Sequence, residues 1–126
     1  MIENEIRLKF EFLPPSVNEA YSWYYKRHKS PVYLEFLRNL DDYFLLHDKK
    51  YNIKGDQWLA VEYVFSFPIY YKNGKIKKID LANFEKTLTD GLTHFIPGFK
   101  DENIKILKME KINWDPATYI LIKEII

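Results

Sequence analysis

The chain contains no cysteine. Disulfides, thiolate zinc sites and cysteine nucleophiles are thereby excluded together, and the usage fits a reducing cytosol. Glycine is scarce, with only 4 in 126 residues. No Walker-type loop, dinucleotide fingerprint or Gly-x-Ser-x-Gly elbow occurs. His28, His47 and His94 are scattered, without the spacing of a metal site. The opening MIENEIRLKF lacks the apolar run of a signal peptide, and no uninterrupted apolar segment is long enough to span a bilayer. A soluble, cytoplasmic protein is the expectation. Formal net charge is only +1, so nucleic-acid binding would need positive charge gathered on one face.

Hydrophobic residues make up 47% of the chain and aromatic residues 17%. Aromatics build cores before they build stacking surfaces, so this excess alone does not indicate a nucleic-acid binder. Residues 1–126 fit one domain with a single core. Ile6, Leu8, Phe10 and Phe12 alternate with charged residues as in a half-buried strand, which Pro14-Pro15 ends. Ser16 to Lys29 has no clean period and reads as a long loop. Ser30-Pro31 resembles an N-cap, followed by helical spacing from Tyr33 to about Asp48. Gln57 to Phe67 reads as a strand and Lys72-Asn73-Gly74-Lys75 as a turn. A second helix runs from about Leu81 to Phe95, stopped by Pro97-Gly98. Strands follow around Ile104 to Leu107 and from Tyr119 to Ile125, separated by a turn at Asp115-Pro116. This order predicts a single α+β domain, two helices packed on a mixed β-sheet.

Asp80 stands where the second helix begins. Its plainer role is to cap that helix; its functional role would be to bind a hard divalent cation, which needs several oxygen ligands. Asp101-Glu102 is the candidate second source of carboxylates, or a solvated turn. No sequence period brings Asp80 and Glu102 together. Asn83, Lys86 and Asp90 share one helix face opposite the apolar stripe. Lys75, Lys77 and Lys78 add positive charge before Asp80. Lys26, Arg27, His28 and Lys29 form a second basic group after Trp23, Tyr24 and Tyr25, a mixture suited to phosphate contact and base stacking.

Three segments together carry a resemblance. LPPSVNEAY (Leu13 to Tyr21) is similar to a Pro-Pro-Ser-x-Asn segment ending a first strand. Asp80-Leu81-Ala82-Asn83 with Lys86 and Asp90 is similar to an Asp-x-Asp-Asn-x-x-Lys helix start. Phe99-Lys100-Asp101-Glu102 is similar to an acidic pair before a strand. In this order they resemble the RusA family of Holliday-junction resolvases, small phage- and prophage-type endonucleases. The resemblance implies a homodimer that binds four-way DNA junctions and cuts two strands with Mg2+ (or Mn2+), in the cytoplasm at the nucleoid or in a phage-infected cell. It implies Asp80 and Glu102 as metal ligands, with Asp101 beside them. Lys86 would contact phosphate or stabilise developing charge, and Lys77 and Lys78 would help hold DNA.

One position departs from the family pattern. Ala82 occupies the place of the second Asp, at a catalytic and metal-ligating position. Two residues apart in an extended segment, positions 80 and 82 would face the same cation. The substitution is either engineered inactivation or natural divergence, and predicts weakened or lost cleavage. Two further readings stay open: a catalytically inactive DNA-junction binding module, and a protein-interaction domain docking through Tyr21 to Tyr25.

Overall fold

Four strands and three helices follow one another in a computed structural model that describes residues 2–20, 30–47, 51 and 53–125, with backbone only for 2–4. They are β1 (Ile2–Phe10), α1 (Val17–Ala20), α2 (Pro31–His47), β2 (Trp58–Phe67), α3 (Ala82–Phe95), β3 (Ile104–Asn113) and β4 (Ala117–Ile125). One four-stranded sheet has the spatial order β1-β4-β2-β3. β4 runs antiparallel to both β1 and β2, whereas β2 and β3 are parallel. The parallel pair follows from connectivity, because α3 carries the chain from the end of β2 back to the start of β3. The predicted α+β domain with a mixed sheet is therefore observed.

Alternation along the strands assigns one sheet face to the core. Leu8, Ile120 and Tyr63 lie in register across β1, β4 and β2 and are all buried. Helices α2 and α3 cover that face. Tyr33, Phe36 and Leu40 of α2 are buried with Phe84, Leu88 and Leu92 of α3, at the helical spacing that an apolar stripe requires. Rings fill much of the space: Phe10 meets Tyr43 edge-on at 4.6 Å, and Phe84 lies 5.3 Å from Phe65.

The predicted N-cap at Ser30 is present, its Oγ accepting the Tyr33 N–H at 3.2 Å and donating to the Glu19 carbonyl. The stretch read as a loop from Ser16 is corrected at its start, where α1 forms. Ser16 and Glu19 cap that turn reciprocally, each side chain accepting the other's backbone N–H. Such a Ser-x-x-Glu box satisfies two orphan donors at once. Among the described residues, no helix is long and apolar enough to cross a membrane.

Candidate functional site

Asp80 precedes α3, and its Oδ1 accepts the Ala82 N–H at 3.1 Å. This is a local i,i+2 turn one residue ahead of the helix: the N-cap is Leu81, which has no side-chain cap bond, so the expected cap at Asp80 is corrected. Leu81 already has right-handed helical dihedrals, φ −60° and ψ −30°, and Ala82 is the first residue of α3. The expectation that 80 to 82 is extended is corrected, because the first helical turn begins one residue earlier than an extended spacing allows. Proximity survives for another reason: the carboxylate of Asp80 folds onto the backbone of Ala82, whose side chain is exposed.

Lys86 and Asp90 lie one turn apart on α3 and pair at 3.7 Å, both partly open to solvent. Pairs of this kind contribute little to stability. Asn83 is exposed on the first turn.

The lysines ahead of Asp80 sit on a small hairpin. Tyr70 and Ile76 form an isolated bridge, and the Lys77 N–H donates to the Ile69 carbonyl at 2.8 Å. Lys75 and Lys78 are exposed; Lys77 is half-buried, its Nζ 5.8 Å from the Tyr71 ring centre. Lys111 of β3 reaches across to the Ile79 carbonyl at 3.3 Å, and Asn113 accepts the Ile69 N–H at 3.0 Å. Both contacts hold the hairpin and the front of α3 against the far end of β3.

Asp101 and Glu102 are exposed on a 3-10 turn, Asp101–Asn103, that opens into β3. That turn is anchored by Asn103, whose side chain donates to the Gly55 carbonyl at 2.6 Å. It lies past the C-terminal end of α3, whereas Asp80 lies before its N-terminal end. Fourteen helical residues span about 21 Å. Within one copy of the chain, Asp80 and Glu102 therefore stand at opposite ends of the crossover. Among the described residues, no three His, Asp or Glu side chains gather closely enough to hold a metal ion. Lys26, Arg27, Lys29 and the aromatic run Trp23 to Tyr25 lie outside the described residues.

A polar relay missed by the sequence reading crosses the buried face between β2 and α3. The Tyr63 hydroxyl lies 2.9 Å from Thr89 Oγ1, which donates to Glu85 at 2.8 Å. Burial first, and then the negative charges of Glu85, Asp101 and Asp90, push the Tyr63 phenol well above its usual range. Helical i,i+4 spacing of Glu85 and Thr89 was the available signal; the partner on β2 needed the fold. Thr87 is a second omission. Its hydroxyl donates to the Pro15 carbonyl at 2.6 Å, with the Phe84 carbonyl at 3.0 Å beside it. The Pro-Pro segment and α3 are thereby joined.

A shallow groove of about 480 Å3 lies apart from these groups, lined by Arg7, Lys9, Tyr43, Glu62 and Tyr119 among others. No family model and no curated protein matches the chain.

Proposed function

We propose that the chain is a RusA-like, Mg2+-dependent endonuclease domain acting as a homodimer on four-way DNA junctions in recombination and repair. In this form Ala82, where the family carries an Asp, weakens or abolishes cutting. The observation that carries the reading is the bond between Thr87 and Pro15, which joins two of the three family-like segments into one unit. The lysine hairpin stands beside the start of that unit, so phosphates held by Lys75, Lys77 and Lys78 would lie near Asp80. Because α3 keeps Asp80 and Glu102 apart in one copy, a cation using both would take them from different copies. Lys86 offers positive charge one turn inside the same helix.

A second reading is favoured by the exposed methyl group of Ala82 at the head of α3: a junction-binding module without cleavage. One fewer carboxylate near phosphates reduces local repulsion.

The deciding experiment compares the parent with Ala82→Asp, scoring nicking of a synthetic four-way junction with Mg2+ and the Mg2+-induced shift in Tm. The nuclease reading expects cleavage to rise by a factor on the order of 100 and the Tm shift to grow with it. If neither cleavage nor the Tm shift increases, the ligand assignment falls. Salt-sensitive junction binding without nicking in both proteins would establish the second reading.

A further inference from the structure

β3 is an edge strand of ten residues, paired on one side only among the described residues. Its register with β2 places Leu107 and Met109 on the helix side, level with Val61 and Tyr63, and Ile106, Lys108, Glu110 and Ile112 on the open side. It leaves three large apolar groups in solvent, with Ile106 46%, Leu107 37% and Met109 37% exposed. Edge strands are usually guarded by proline, a short length, a bulge, charged side chains or a covering element. β3 contains no proline, its register irregularity is confined to its first residues, and the charges at its centre, Lys108 and Glu110, are of opposite sign.

We infer that β3 is the surface through which two copies of this chain pair, strand to strand and antiparallel, about a two-fold axis at Met109. The argument is the self-complementarity of IKILKMEKIN in that one register. Around Met109, Lys108 falls opposite the partner's Glu110 and Glu110 opposite the partner's Lys108. Ile106 falls opposite the partner's Ile112 on the same face. On the other face Met109 meets its own copy, flanked by Leu107 beside the aliphatic stem of the partner's Lys111. Opposite charges and apolar pairs directly across a ladder stabilise it, and like charges destabilise it. Moving the centre one residue to Lys108 sets lysine against lysine; moving it to Glu110 sets glutamate against glutamate. A two-fold axis perpendicular to the sheet keeps the helices of both copies on one side, giving a continuous eight-stranded sheet and a closed dimer. Among the described residues Lys108 also pairs with Glu62, at 3.9 Å and largely exposed, a weak surface contact that leaves its ammonium open to a partner carboxylate. The inference stands on the strand itself and holds whether or not the chain cuts DNA.

The test uses the intact chain, with mass in solution followed by sedimentation. The parent is expected to be a dimer at micromolar concentration. Lys108→Glu and Glu110→Lys each place like charges opposite one another twice, and each alone should weaken the dimer at least tenfold. Mixed together they should form a heterodimer, because each carries the charges that the other needs. Recovery on mixing also shows that the single variants fold. The chain has no cysteine, so Met109→Cys supplies one thiol, expected to form an intermolecular disulfide on mild oxidation. Leu107→Cys, opposite a lysine, should not cross-link. A monomeric parent, dimeric single variants, no recovery on mixing, or cross-linking through position 107 instead of 109 would each overturn the inference.

Discussion

Thr87 and Pro15, separated by 72 positions in sequence, are joined by a hydrogen bond of 2.6 Å from hydroxyl to carbonyl. Thr87 is fully buried on α3, so the bond determines where the Pro14-Pro15 turn lies relative to the helix that carries Asn83 and Lys86. Thr87→Val keeps the shape and removes the donor. A carbonyl left unpaired in a buried place costs about 1–3 kcal/mol. Urea unfolding should show a lower midpoint by that amount with an unchanged slope; an unaltered midpoint would mean that water replaces the hydroxyl.

Gly98 and Gly74 both hold positive φ, 85° and 86°, but their surroundings differ. A Cβ at Gly98 would lie 1.8 Å from the Ile53 carbonyl oxygen, whereas nothing lies within 4 Å of one at Gly74. Gly74→Ala should cost about 1 kcal/mol, the strain of the backbone alone. Gly98→Ala should cost about 1–3 kcal/mol beyond that, since the Ile53 backbone must move. Equal changes in Tm for the two variants would contradict the close approach.

Tyr63 supplies a pH dependence with a definite sign. Its phenol is raised from the ordinary value of 10.0 by burial and then by neighbouring carboxylates. Above pH 10 the unfolded chain loses this proton while the folded chain keeps it. Stability is thus fully present below pH 10 and falls as pH rises, with a limiting slope of about 1.4 kcal/mol per unit from this group. Tyr63→Phe should remove that component. Comparing the two proteins by urea unfolding between pH 9 and 11 isolates it from the other tyrosines, and parallel pH curves would refute it.

The lysine hairpin predicts a salt effect. Lys75→Ala with Lys78→Ala removes two exposed charges, so stability should change by less than about 0.5 kcal/mol. If both contact phosphate, the slope of log affinity for a four-way junction against log salt should become shallower by about 2. Fluorescence anisotropy in EDTA measures it without cleavage. An unchanged slope would move the DNA elsewhere on the surface.

The periodicity of Phe36 and Leu40, and of Leu88 and Leu92, made both long helices legible, because an amphipathic stripe is a local pattern. The presence of each strand was legible for the same reason, and so was the Ser30 cap, but β3 runs on to Asn113 beyond the expected Leu107, and β1 ends at Phe10 before the expected Phe12. The Ser16–Glu19 box is equally local, but it stands at the head of an aperiodic, aromatic stretch that hides it. Other features were not local. The four charges of β3 against the two of β4 hint that β3 lies at the edge and β4 in the middle, but the pairing partners themselves needed the fold. The α3 crossover separates Asp80 from Glu102, which proximity in a motif list cannot reveal. The turn at Leu81 undid the extended geometry assumed for Asp80 and Ala82, since helix ends are set by a residue or two.

Strand β1 pairs with β4, Ile2 standing opposite Ile125. During synthesis the first strand therefore leaves the ribosome long before its partner has been made. Pairing at such sequence separation closes a loop of nearly the whole chain, the kind of contact that slows folding. Until β4 inserts between β1 and β2, Leu8 and Phe10 lack their ladder neighbours. A chain stalled before residue 117 would hold an unpaired apolar strand, the form most exposed to misassembly.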